Sequence, residues 1–147
     1  RREWGTEFEP LEPLPRGTER ILIVDDEEII VEIAQRILKS LGYKVTAQTD
    51  CPGAWEMLRN HPLDFDLVIT DMTMPHMTGM DLAKEYLAIR PDGLIILCTG
   101  FSEQADEEKA KAIGVREFVM KPIIKKDFAR IVRKVLDGSC QDGREQK

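Results

Sequence analysis

ILIVDDE (residues 21–27) sets four apolar residues directly before the acidic pair Asp25 and Asp26. FDLVITDMTMP (residues 65–75) repeats the device, with the run LVIT ending at Asp71. Both runs are short, β-branched and nearly continuous in hydrophobicity. That is how a strand buried on both faces of a parallel sheet reads. In open α/β sheets ligands bind beyond the carboxyl ends of the strands, so the three carboxylates are expected at one site. Like charges about 4 Å apart near a protein surface repel by roughly 4 kcal/mol. The cluster therefore calls for a cation, and hard oxygen ligands favour Mg²⁺.

The same edge gains two more groups. LIILCTG (94–100) is a further buried strand ending at Thr99, and EFVMKP (117–122) is a short one ending at Lys121 before Pro122. Between the strands run helical patterns. Residues 27–41 carry Ile29, Ile30, Ile33, Ile37 and Leu41 at helical spacing, with Gly42 as a C-cap. A strand at 43–49 leads to a short helix at 52–60 opened by Pro52. Residues 80–89 form a helix stopped before Pro91. Ser102 can cap a helix to about Ile113, where Gly114 ends it. The final helix, 126–136, puts Phe128, Ile131, Val132, Val135 and Leu136 on one face. Five strands alternating with five helices predict an α/β fold, a doubly wound five-stranded parallel sheet.

At 147 residues, 42% hydrophobic and 33% charged, the chain is sized for one globular domain. A net charge of -6 argues against direct nucleic-acid binding, which needs a basic stripe. No apolar stretch reaches membrane-span length, so no membrane contact is expected of this segment. Cys51, Cys98 and Cys140 show no metal or disulfide spacing and are expected to be reduced thiols. Residues 1–19, with three prolines and no period, read as a linker or arm. Residues 20–137 form the domain, and 138–147 are expected to be a disordered tail. The chain opens without Met, so Arg1 is read as the start of a fragment.

The ordered set DD, D-x-x-x-P-x-x-x-G (Asp71, Pro75, Gly79), TG at Thr99 and KP at Lys121 resembles the receiver (phosphoacceptor) domain of two-component response regulators, over residues 20–137. The resemblance implies a flavodoxin-like (β/α)5 fold with strand order 2-1-3-4-5. It implies that Asp71 takes a phosphoryl group from the phosphohistidine of a histidine kinase or phosphotransfer domain, a covalent route open to Asp. Mg²⁺ would be held by Asp26, Asp71 and the backbone carbonyl of Thr73, with Asp25 acting through water. Lys121 would meet the phosphoryl oxygens as a point charge. Thr99 and Phe118 would be the switch pair, and Thr73 and Phe101 would tune hydrolysis. A receiver catalyses its own phosphorylation and dephosphorylation. The LPRGTERILIVDDE, DMTMPHMTGMDLA and LCTGFSE stretches are similar to receivers at the C-terminal end of hybrid sensor histidine kinases. A stand-alone single-domain regulator is the competing origin. The expected location is cytoplasmic, in a parent protein that could carry a membrane anchor.

Each residue also has an ordinary explanation. Asp71 could be a turn aspartate after a strand, and an Asp before Glu-Glu is a normal helix start. Lys121 could be a solvated surface lysine and Phe118 plain core. Those readings explain the residues singly but not their order. His76 reads as an exposed loop histidine, and Met74 and Met77 as gap-fillers. A haloacid-dehalogenase-type phosphatase would need D-x-D on its first strand, and none exists. A pseudo-receiver would have lost one of the key groups.

Overall fold

The computed structural model describes residues 15–72, 78–100, 104–120 and 124–145, with 104–106 and 138–145 as backbone only. Strands β1 (Arg20–Val24), β2 (Lys44–Gln48), β3 (Leu67–Asp71), β4 (Ile95–Thr99) and β5 (Glu117–Met120) alternate with helices α1 (Glu28–Ser40), α2 (Cys51–Asn60), α3 (Gly79–Ile89), α4 (Gln104–Ile113) and α5 (Lys125–Glu145). The sheet is parallel, in the order β2-β1-β3-β4-β5, as expected.

Side-chain alternation in the central strands builds two cores. Ile21, Ile23, Leu67, Ile69, Leu94, Ile96 and Cys98 face the layer of α1 and α5. Leu22, Val24, Val68, Ile95 and Leu97 face the layer of α2, α3 and α4. A strand buried on both sides favours apolar side chains on each face, which explains the nearly continuous apolar runs.

Helix ends carry their own chemistry. The Asp50 side chain caps α2 through Gly53 N–H at 2.5 Å. Thr78 opens α3 with a capping box, its hydroxyl accepting from Asp81 N–H at 3.1 Å and its own N–H reaching the Asp81 carboxylate. Gly42 and Gly114, after α1 and α4, have φ of 101° and 122°, a left-handed turn that glycine makes at least cost.

Three expectations need correction. In α1 the buried set is Val31, Ala34 and Leu38, continued by Leu41, whereas Ile29 and Ile33 of the predicted stripe are 70% and 42% exposed. Two apolar sets interleave on that helix, and a 3.6-residue period fits both. Residues 15–19 of the expected arm are docked. Gly17 N–H donates to Leu41 O and Lys44 N–H to Glu19 O, while Arg133 clasps Glu19 and the Arg16 carbonyl. Contacts this distant in sequence leave no local pattern. Lastly, α5 is Lys125–Glu145, longer than the expected helix at 126–136. The stretch after Leu136 is short and polar, but polarity does not break the backbone ladder as proline does.

Candidate functional site

The carboxyl ends of β1 and β3 deliver the acidic residues to one place. Asp25 follows β1 and extends the ladder through its N–H to Gln48 O at 3.1 Å. Its side chain turns back to accept from Glu27 N–H at 2.9 Å, an Asx turn into α1. Asp71 is the last residue of β3, in register with Cys98, and Met72 N–H continues that pairing to Cys98 O at 2.8 Å. Asp25 and Asp71 are buried and Asp26 is exposed. One carboxylate oxygen from each of the three lies within 4.8 Å of the others. The predicted meeting of the three carboxylates therefore occurs. Three hard anionic donors, two buried and one facing solvent, suit a divalent cation that keeps part of its water shell.

Thr99 ends β4, one residue past the partner of Asp71, and is 3% exposed. Phe118 pairs in register with Leu97 and packs, half-buried, on the core of the α2–α4 layer. Lys121, Thr73 and Phe101 lie outside the described residues, as do Pro75, His76, Met74, Met77 and Ser102.

Sequence reading passed over what lies behind Asp71. Thr70 is fully buried, and its hydroxyl donates to the Asp71 carbonyl at 3.1 Å. Burial pushes the Cys51 thiol up to about 11; the Thr70 hydroxyl opposes this, and Asp50, Asp71 and Asp81 add to it. Gly79 starts α3 against the end of β3, where a Cβ would collide with the Asp71 carbonyl oxygen. The only available signal for this was the x-x-x-P-x-x-x-G spacing, which gave no physical reason for the glycine.

The family model of the response regulator receiver domain matches residues 21–133. The chain belongs to that family. It is similar to the response regulator SaeR of Staphylococcus aureus, 33% identical over 116 residues, covering 79% of this chain and 50% of that one. The chain thus spans about half the length of the curated relatives it matches. Among solved structures it is similar to a CheY-like receiver domain protein from Methanospirillum hungatei, with TM-score 0.79 and 26% identity over 86% of this chain and 99% of that one. The beryllofluoride-activated NtrC4 receiver domain is similar too, with TM-score 0.76, 27% identity, and coverage of 82% and 98%. Membership sets aside the haloacid-dehalogenase alternative. Among the described residues no helix is long and apolar enough to cross a membrane.

Proposed function

We propose that this receiver accepts a phosphoryl group on Asp71 from the phosphohistidine of a histidine kinase or phosphotransfer domain. The observation that carries the reading is the convergence of Asp25, Asp26 and Asp71 at the strand ends of a receiver fold. In the step, an Asp71 carboxylate oxygen attacks phosphorus, the P–N bond to imidazole breaks, and an acyl phosphate results. Mg²⁺ held by Asp26, Asp71 and the Thr73 carbonyl, with Asp25 through water, would neutralise the charge on the transferring group. Lys121 supplies a second positive charge, and Thr99 a hydroxyl for the phosphoryl oxygens. Phe118, half-buried beside the same edge, is the side chain that would follow Thr99 inward. Phe101, two residues beyond Thr99, would shield the acyl phosphate from water, and Thr73 would tune the same hydrolysis.

Acetyl phosphate with Mg²⁺, followed by intact mass, tests the acceptor. Asp71→Asn should abolish the added group and His76→Ala should not; full labelling of Asp71→Asn rules the acceptor out. Mg²⁺ should raise the melting temperature, as a ligand selective for the folded state does. Asp26→Ala should remove most of that rise, and an undiminished rise would put the metal elsewhere. With beryllofluoride, amide exchange should change between residues 100 and 125 and less so in Thr99→Ala. Changes confined to the Asp71 loop would rule out the Thr99–Phe118 coupling.

A further inference from the structure

Resting on Asp71 as acceptor, we propose that Gly79 is a positioning residue for it. Its missing side chain lets α3 close on the end of β3 and so fixes where the Asp71 carboxylate stands. Gly79 is the first residue of α3. Backbone freedom is not what it supplies, since Gly42 and Gly114 are the described glycines at positive φ and Gly79 is helical. Within a helix alanine is the better residue. What glycine supplies here is space. A Cβ would land on the Asp71 carbonyl oxygen, with the Asp71 carbonyl carbon at 2.9 Å and Met72 Cα at 3.0 Å. All three are main-chain atoms, which no change of rotamer can move aside.

The approach is fastened as well as close. Gly79 N–H donates to Met72 O at 2.9 Å, while Met72 N–H donates to Cys98 O at 2.8 Å. The residue after Asp71 is thus tied to α3 through its carbonyl and to β4 through its N–H. On the helix side, Thr78 and Asp81 close the capping box that sets where α3 begins. The Asp71 side chain branches from the Cα next to the carbonyl that faces Gly79, so a shift of this main chain carries the carboxylate with it. Relieving the collision takes a shift on the order of 1 Å, shared between strand and helix. A misplacement of about 1 Å can cost roughly a hundredfold in rate. The metal site feels the same shift, because Asp71 contributes one of three carboxylate oxygens lying within 4.8 Å of one another. Mg²⁺ demands near-ideal octahedral geometry whereas Ca²⁺ accepts a flexible shell, so the shift should discriminate between them.

Gly79→Ala is the smallest probe. At saturating Mg²⁺, its maximal rate of labelling by acetyl phosphate should fall about tenfold. The Mg²⁺ concentration giving half of the melting-temperature rise should increase about tenfold, and the corresponding Ca²⁺ concentration should increase less. A loss of helix stability alone would move both ions together and leave the rate of the folded protein intact. Thr78→Ala, which removes the cap and adds nothing against Asp71, should melt lower yet label as fast as the parent. The role is overturned by a Gly79→Ala protein that labels like the parent, by equal weakening of Mg²⁺ and Ca²⁺, or by a Thr78→Ala protein as slow as Gly79→Ala. Should Gly79→Ala melt below the assay temperature, an ester in place of the Gly79 amide removes its N–H and adds no side chain. That protein should label about threefold more slowly, and an unchanged rate overturns the role. A parent protein that takes no phosphoryl group at all would instead defeat the acceptor reading, and the comparison of the two ions would still decide on Gly79.

Discussion

At the carboxyl end of the sheet Asp25, Asp26 and Asp71 crowd like charges together, whereas the amino end of the same sheet matches its charges. There Arg133 pairs with Glu19 at 2.7 Å and Asp137 at 2.9 Å, and it donates to the Arg16 carbonyl at 3.0 Å. Arg20 N–H donates to Asp66 at 2.8 Å, and its guanidinium reaches the Leu63 carbonyl. Arg90 ties the α2–β3 connection through Phe65 O at 2.6 Å, Pro62 O at 3.1 Å and the Tyr86 hydroxyl at 3.0 Å. The strands are the same and the chemistry is opposite. Among the described residues, one end gathers carboxylates that a cation can bridge, and the other uses its polar groups to close the fold. The stability cost of a binding site is thus borne where the ligand arrives.

Substitutions that remove charge should therefore have opposite signs at the two ends. The largest loss is expected for Arg90→Ala, which strips a donor from two carbonyls and a buried tyrosine. Unfolding free energy in denaturant should drop by about 2–3 kcal/mol. Arg133→Ala should cost less, about 1–2 kcal/mol, since part of its network is solvent-screened. It should also speed trypsin cleavage after Arg16 about tenfold, because the open state is more populated. An unchanged cleavage rate would mean that residues 15–19 are held by their backbone bonds alone. At the other end, Asp71→Asn should stabilise the metal-free protein by about 1 kcal/mol. Destabilisation there would break the comparison.

The fold was legible because its decisive signals are local. Apolar runs bounded by Asp25, Asp71 and Thr99 defined the strands, and Gly42 and Gly114 ended helices where they were read. The acidic half of the site was legible for the same reason, each carboxylate standing at a strand end. What escaped depends on contacts between distant residues. Glu19 meets Arg133 across 114 positions, and Gly79 meets the Asp71 carbonyl eight positions away. In α1, periodicity alone did not decide between Ile29 with Ile33 and Val31 with Ala34, because burial is set by the partner layer.

The smallest effect, and the one that isolates the charge contrast, is in acid. The Arg133 guanidinium bonded to Glu19 holds that carboxyl below its ordinary range. Burial would push Asp66 up, but the Arg20 backbone N–H and guanidinium bring it below its usual value. A carboxyl depressed in the folded state adds stability above its unfolded pKa and loses it as pH falls through the folded one. For Glu19 and Asp66 that loss begins near pH 4.5 and 3.8, the ordinary values, and continues below them. Glu19→Gln should therefore be less stable than the parent at pH 7 by a few tenths to about 1 kcal/mol. The gap should narrow as pH falls below 4.5 toward 3, as the parent's Glu19 begins to take up a proton. Denaturant midpoints measured at both pH values decide the matter. A gap of constant size would show that Glu19 acts through packing or neutral hydrogen bonds, and the amino end would then owe its stability to something other than matched charge.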